Sequence, residues 1–321
     1  MSNKIAITNV LKQNLHPSNV HNNGYNFVTL IKTYPALQQF VTPNAYNNLS
    51  INYFNANAVI ALNKALLMHY YGVVYWHIPT GYLCPPIPSR ANYLHYLADL
   101  LTTSNNGKPP NGKSITVLDI GVGANCIYPI LGNYMYNWQF IGTDTHTNSL
   151  HAAQQNINNN PHLKNNITLL LQPNPQQIFI NIIKPNQRIA VTICNPPFYA
   201  SAAEANQKAT QKLRQLTKTT IKNTKLNFGG MHNELYTLGG ELQFLKTTIF
   251  ESKQFKHQCL WFTSLISKSA LLPQLQIYLQ QVNALAVKVI PMHQGNKISR
   301  ILAWSFFTIP QQNTWAKQYW Q

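Results

Sequence analysis

The chain has 321 residues and a strongly unbalanced charge, with 24 Lys and Arg against 7 Asp and Glu and a formal net charge of +17. A positive excess of this size predicts a polyanionic partner, most commonly nucleic acid. No apolar run reaches the ~20 residues that a membrane-spanning helix needs, and the first residues lack a signal-peptide core. We therefore expect a cytoplasmic protein with no membrane partner, and we expect it to be a monomer.

The amino-terminal part, residues 1–88, is rich in Asn, His, Tyr and Lys and has few strand-like runs. Apolar residues at helical spacing predict a helix over Asn57–Tyr71. Prolines punctuate residues 78–88, and a second helix is predicted over Arg90–Leu101. We place a domain boundary after residue 88, so that residues 89–321 form the second unit.

From residue 114 onward, short apolar runs alternate with helical patterns, which predicts a mostly parallel α/β sheet. Helices are expected from about Cys126 and over Ser149–Asn160. The last two runs look like a hairpin, so the last strand should be antiparallel. The predicted strands are Ser114–Ile120, Trp138–Gly142, Ile167–Leu171, Ile189–Cys194, Gln258–Thr263, Ala286–Ile290 and Ile301–Phe307.

A glycine turn follows the first of these strands. After Asp119, the chain reads Gly121-Val122-Gly123-Ala124-Asn125-Cys126, and such a turn lets backbone approach a ligand closely. A dinucleotide-binding fold would place a third glycine where Cys126 stands, which disfavours an oxidoreductase. Asp144 ends the second strand, a position that suits the ribose hydroxyls of a bound nucleoside.

The tetrapeptide Asn195-Pro196-Pro197-Phe198 ends the run Ile189–Cys194. The Asn195 amide oxygen and the Pro196 carbonyl can each accept one N–H of a planar exocyclic amine. Phe198 can stack on the base, a contact worth roughly 1–3 kcal/mol. A simple turn is the alternative interpretation, because Asn-Pro and Pro-Pro break regular structure wherever they occur. Glycine turn, ribose acid and this tetrapeptide occur in the order expected of an S-adenosylmethionine-dependent amino-methyltransferase.

The four cysteines are widely spaced, form no CxxC pair, and predict buried reduced thiols rather than a metal site. They are Cys84, Cys126, Cys194 and Cys259. A basic insertion at 205–230 follows the tetrapeptide directly and is a candidate for RNA phosphate contacts; a solvated basic helix is the alternative. Its cations are Lys208, Lys212, Arg214, Lys218, Lys222 and Lys225.

These residues resemble the bacterial 23S rRNA adenine-N6 methyltransferase family, the RlmF family, which is related to a eukaryotic small nuclear RNA adenosine-N6 methyltransferase. The resemblance covers nearly the whole chain. It is carried by 118–129 (LDIGVGANCIYP), 194–198 (CNPPF), 14–19 (NLHPSN), 62–67 (LNKALL), 83–88 (LCPPIP), 226–230 (LNFGG), 261–265 (WFTSL) and 299–300 (SR).

The resemblance implies a Rossmann-like class I methyltransferase domain with a mostly parallel seven-stranded sheet, preceded by a mainly helical, RNA-binding amino-terminal portion. It also implies S-adenosylmethionine as cofactor, 23S rRNA as substrate and Arg90 as the group that binds the methionine carboxylate. Asn195, Pro196, Pro197 and Phe198 are then the catalytic candidates. The cofactor candidates are Arg90, Asp119, Gly121, Gly123, Asn125, Asp144 and Asn195.

Three alternatives stay open at this point. A protein-glutamine methyltransferase uses a similar tetrapeptide on a planar amide, although the charge of +17 and the aromatic residue Phe198 favour nucleic acid. DNA adenine is a second possible substrate. A non-catalytic RNA-binding module is the third alternative, and damage to Asp144 or Asn195 would be its mark; both are intact.

Overall fold

The computed structural model describes residues 14–201, 203–204, 207, 236–294 and 297–320. Its amino-terminal part is mainly helical, as predicted, and it also contains one short hairpin that was not predicted from the sequence. The elements are helix α1 (Phe27–Thr33), a 3-10 helix (Pro35–Phe40), the antiparallel strands β1 (Val41–Pro43) and β2 (Leu49–Ile51), and helix α2 (Ala56–Tyr71).

Helix α2 agrees closely with the predicted span because both of its ends carry strong local signals. The Asn55 side chain accepts hydrogen bonds from two backbone N–H groups of the first turn. Gly72 ends the helix in the left-handed conformation at φ +61°, which glycine adopts without strain. The following helix α3 (Ile87–Thr102) begins earlier than predicted, since proline is tolerated in a first turn and Pro88 lies there.

Seven strands of the described residues form one sheet in the order β5-β4-β3-β6-β7-β9-β8. Strands β3 to β7 run parallel, whereas β9 runs antiparallel to both of its neighbours. The predicted Rossmann-like α/β fold with an antiparallel last strand is confirmed. The strands are β3 (Thr116–Ile120), β4 (Gln139–Asp144), β5 (Ile167–Leu171), β6 (Ile189–Cys194), β7 (Cys259–Ile266), β8 (Ala286–Gln294) and β9 (Lys297–Ser305).

The β8–β9 hairpin is longer than the sequence suggested. The predicted strands end at Ile290 and begin again at Ile301, with residues 291–300 and Gly295 as the connection between them. Pro291 lies inside β8, which is the edge strand of the sheet and pairs with β9 alone. A proline at an edge removes no hydrogen bond from the sheet interior, so the strand continues through it.

Helices cover both faces of the sheet, and the central strand β6 is buried along its whole length. One core cluster joins α2, α3 and α4 (Ile127–Tyr136) through residues such as Leu66, Leu94 and Leu131. The other cluster, which includes Leu245 and Leu275, covers the opposite face. The described residues also form the α-helices α5 (Thr147–Asn158), α6 (Gly240–Ser252), α7 (Leu272–Gln281) and α8 (Ile309–Tyr319), and two short 3-10 helices (Lys253–Phe255 and Ser269–Leu271).

The amino-terminal part shares its core with the sheet. The boundary proposed after residue 88 lies in the first turn of α3, and buried residues on both sides of it belong to the same cluster. All four cysteines are free and buried, as predicted. Among the described helices none is long and apolar enough to cross a membrane. Nowhere in the described part of the chain do three or more His, Cys, Asp or Glu side chains form a group that could hold a metal ion.

Candidate active site

A cavity of about 290 Å³ opens where the carboxyl ends of β3, β4 and β6 meet. Strand order explains its position, because β3 lies between β4 and β6 and the loops that leave these strands converge. The predicted residues that line it are Arg90, Gly121, Gly123, Asn125, Asp144, Asn195 and Pro197. The fold therefore gathers most of the predicted site into one pocket.

The glycine turn forms the floor of the cavity. Gly121 and Gly123 have φ values of +76° and +62°, in the left-handed region where a side chain is strained. A Cβ at Gly121 would meet no heavy atom within 4 Å, so the backbone there faces open space. The Thr143 carbonyl accepts the N–H groups of Gly121 and Val122 at 2.9 and 2.8 Å, which ties the turn to β4.

Asp144 is held at the tip of β4 by backbone donors. Its Oδ2 accepts the Gly123 N–H at 3.1 Å, and its Oδ1 accepts the His146 N–H at 2.9 Å. Burial raises the pKa of Asp144, while these two hydrogen bonds act in the opposite direction. A carboxylate has about four lone-pair positions, so each oxygen can still accept a hydroxyl from a ligand in the cavity.

Two predicted cofactor residues are placed differently from the others. Asn125 lines the cavity, but its Oδ1 accepts the Ile127 N–H at 3.1 Å and so stabilises the first turn of α4. Asp119 lies behind the wall: it is only 1% exposed and is not among the lining residues. Neither of its oxygens has a hydrogen-bond partner among the described residues, and burial raises its pKa well above the usual value, with Arg90 opposing.

Arg90 links Tyr128 on α4 to Asn195 at the end of β6. Its Nη1 donates to the Tyr128 hydroxyl at 2.8 Å and to the Asn195 Oδ1 at 3.0 Å. Among the described residues no carboxylate forms an ion pair with this buried guanidinium. A buried cation without a counter-charge is costly, so the cavity favours an anionic group of a ligand beside Arg90.

Only two residues of the tetrapeptide at the end of β6 line the cavity. Asn195 and Pro197 line the cavity, and Pro196 is buried. Phe198 is half-buried and is not one of the lining residues. Tyr199 forms an isolated parallel bridge with Tyr236, which itself lines the cavity.

One wall of the cavity is formed by the loop after β5. Gln172, Pro175, Gln177 and Ile178 line the cavity there. The Gln172 amide braces the loop: its Nε2 donates to the Ile180 carbonyl at 2.9 Å, and its Oε1 accepts the Asn174 N–H at 3.1 Å.

Two residues that sequence reasoning missed support this site. Glu251 accepts the backbone N–H groups of Ile178, Phe179 and Ile180 at 2.6 to 3.1 Å, although it lies far along the chain on α6. Tyr128 receives the Arg90 bond, and burial raises the pKa of its hydroxyl to about 12. The scarcity of acidic residues and the Ile-Tyr-Pro run after the glycine turn were the available signals.

The predicted RNA-contact cations cannot be placed. Lys208, Lys212, Arg214, Lys218, Lys222 and Lys225 lie outside the described residues.

Comparison with known proteins gives a consistent result. Residues 9–308 match a family described as RNA methyltransferase. The chain is 48% identical over 312 residues to the ribosomal RNA large subunit methyltransferase F of Cytophaga hutchinsonii, covering 97% of each protein. It is 47% identical over 310 residues to the protein of that name from Yersinia enterocolitica, covering 96% of this chain and 92% of the relative.

Solved structures agree with this match. The hMettl16 catalytic domain in complex with MAT2A 3′UTR hairpin 1 is 28% identical, with a TM-score of 0.78 over 92% of this chain and 96% of that one. The amino-terminal domain of human METTL16 in complex with SAH is 26% identical, with a TM-score of 0.72 over 92% and 100%. The chain belongs to the RNA methyltransferase family.

Proposed function

We propose that this protein transfers a methyl group from S-adenosylmethionine to N6 of a specific adenosine in 23S ribosomal RNA. The observation that carries the proposal is the position of Asn195 and Pro197 on the same cavity whose floor is the glycine turn. The names of the relatives, which are ribosomal RNA large subunit methyltransferases, support this RNA as substrate. The protein acts in the cytoplasm as a monomer.

The residues of the cavity fit the proposed cofactor. The open space above Gly121 accepts a ligand close to the backbone, with Gly123 and Asn125 beside it. Asp144 has lone pairs for the ribose hydroxyls, and Arg90 offers a positive charge to the methionine carboxylate. Asp119 lies behind the cavity wall, so we assign it no direct contact with the cofactor. The bound cofactor supplies an electrophilic methyl group on a sulfonium.

The tetrapeptide holds the acceptor amine. The Asn195 Oδ1 and the Pro196 carbonyl each accept one N–H of the adenine amino group, which directs its lone pair towards the methyl carbon. Arg90 already donates one hydrogen bond to the Asn195 Oδ1, and a carbonyl oxygen has a second lone pair for the amine. Pro197 shapes the cleft and Phe198 stacks on the base. After transfer the amine loses a proton to water, so no general base is needed, and positioning supplies most of the rate.

RNA is held by charge and by stacking. Residues 1–88 form an RNA-binding portion, together with the basic insertion at 205–230. The first acidic residue of the chain is Asp99, so this portion adds no negative charge. The exposed side chains of Tyr46, Tyr53 and Phe54 offer faces on which unpaired bases can stack.

The experiment is mass spectrometry of 23S rRNA from cells with and without the gene. One N6-methyladenosine should disappear on deletion and return with the wild-type gene. Purified protein should also transfer tritiated methyl groups to 23S rRNA, and not to duplex DNA or to a peptide-release factor. Labelling of a glutamine or of DNA, with no RNA product, would overturn the proposed substrate.

A further inference from the structure

Lysines mark the loops that enter the sheet, at the amino-terminal ends of the strands and opposite the cavity. Lys113 precedes β3, Lys164 precedes β5, Lys184 precedes β6 and Lys256 precedes β7; the first three are exposed and Lys256 is half-buried. Four of the five parallel strands are thus entered from a loop that carries a lysine. We call Lys113, Lys164, Lys184 and Lys256 the strand-entry lysines.

Strand order places the loops that carry three of these lysines side by side. Strands β3, β6 and β7 are neighbours, and adjacent strands lie about 4.8 Å apart. The Gln258 Nε2 donates to the Lys184 carbonyl at 2.8 Å and to the Gln187 carbonyl at 3.3 Å, which joins the loops before β6 and β7. The Ser114 hydroxyl donates to the Trp320 carbonyl at 3.4 Å, so the end of the chain, with exposed Lys317, lies beside the start of β3.

No described acidic residue neutralises these lysines. Asp119 and Asp144 lie at or behind the cavity, and the other described acids are engaged elsewhere: Asp99 with His16, Glu204 with Lys268, Glu241 with Ser267, and Glu251 with backbone N–H groups. No strand-entry lysine forms an ion pair within the described part of the chain. Their summed field therefore attracts anions with little internal compensation.

The distance across the sheet decides which anion this surface fits. Strands of five to eight residues separate it from the cavity, or roughly 17–26 Å at about 3.3 Å per residue. A nucleotide whose base occupies the cavity does not extend that far. Lysines are point charges that bind phosphates without reading bases.

We infer that the strand-entry lysines bind the phosphate backbone of a part of the substrate RNA remote from the methylated adenosine. This inference rests on the proposed function, because it requires a large RNA substrate. It assigns the protein two separate RNA contacts, one around the cavity and one on the opposite edge of the sheet.

The test replaces Lys113, Lys184 and Lys256 together by Gln. The matched control replaces Lys246, Lys268 and Lys288 by Gln, which removes the same charge from other surfaces. Affinity is measured against salt concentration for full-length 23S rRNA and for a hairpin of about 30 nucleotides that contains the methylated adenosine. Thermal unfolding midpoints verify that both variants fold.

For full-length RNA, the test variant should bind at least tenfold more weakly. The slope of log affinity against log salt should fall by about two, at ~0.7–0.9 per lost phosphate contact. Its binding to the hairpin should equal that of wild type. The control variant should affect both RNAs to the same extent. The inference would be overturned if the test and control variants lost the same affinity for full-length RNA. It would also be overturned if the test variant lost as much affinity for the hairpin as for full-length RNA. Failure of the wild-type protein to methylate any RNA would instead reject the proposed function, and the binding comparison would still decide the role of the surface.

Discussion

At the scale of single residues, Asn195 combines two tasks that can be separated experimentally. Its Oδ1 receives the Arg90 bond and, in the proposed reaction, the amine of adenine. Replacing Asn195 by Ala should lower kcat by at least 100-fold, because the amine loses one of two acceptors that orient it. Cofactor affinity, measured by calorimetry with S-adenosylhomocysteine, should fall far less than kcat and by no more than about tenfold, because Arg90 keeps its hydrogen bond to Tyr128.

Asn159→Ala is a suitable control, because this residue caps the end of α5 away from the cavity. A large loss of cofactor affinity in Asn195→Ala would show that Asn195 serves the cofactor rather than the base.

Tyr128 is the second residue with a separable role, since it holds Arg90 but has no place in the transfer itself. Tyr128→Phe removes one hydrogen bond to a charged group, and such bonds contribute about 1.5–3 kcal/mol. We expect roughly tenfold weaker binding of S-adenosylhomocysteine. Binding of 5′-methylthioadenosine, which lacks the amino-acid part, should not change. Equal weakening of both ligands would indicate a general loss of packing instead of a misplaced guanidinium.

At the scale of elements, the loop after β5 depends on a helix far along the chain. Glu251 on α6 accepts three backbone N–H groups of this loop, and a Gln side chain has only one oxygen for them. Glu251→Gln should therefore raise the KM for S-adenosylmethionine several-fold and lower kcat much less. Steady-state kinetics at saturating RNA measures both values.

Glu204→Gln is the control for this change of charge, because the partners of Glu204, which are the Ala200 N–H and Lys268, lie outside the loop after β5. A kcat that falls as much as KM rises would show that the loop also orders the reacting groups.

Local signals located some elements and failed for others. Helix α2 was predicted nearly to the residue because its cap and its terminal glycine are local. Helix α8 was not predicted, although Thr308 and Gln311 form a capping box at its start. Its apolar pattern is weak, because much of the helix is exposed and packing of Trp315 against the core secures it.

At the scale of the whole molecule, two buried histidines make stability depend on pH. Burial lowers the pKa of His21 and of His95 to about 4, with a further lowering from a neighbouring histidine. The unfolded chain, with histidines near 6.5, then binds more protons than the folded one between pH 4 and 6.5. Their contribution to stability is complete above about pH 6.5 and is lost as the pH falls towards 4.

The raised pKa values of Asp119, Asp144 and Glu241 act in the opposite direction, so a variant is needed to isolate the histidines. In His95→Gln the unfolding midpoint should fall less between pH 6.5 and 4.5 than it does in wild type. Thermal unfolding followed by circular dichroism measures both proteins. Parallel curves for the two would mean that His95 does not titrate differently on unfolding.

The sequence alone determined the seven strands of the sheet in chain order, four of the helices, the class of fold and the motifs at the ends of β3, β4 and β6. Apolar runs, glycine turns and proline breaks act over a few residues, so they can be recognised in a short stretch of sequence. Tertiary structure decided which side chains meet. Arg90 bonds to partners 38 and 105 residues away, and Glu251 holds backbone more than 70 residues before it. The tertiary structure also places Asp119 behind the cavity wall and the strand-entry lysines at the amino-terminal ends of the strands. Such contacts follow from the packing of helices on a sheet, which no local pattern of residues specifies.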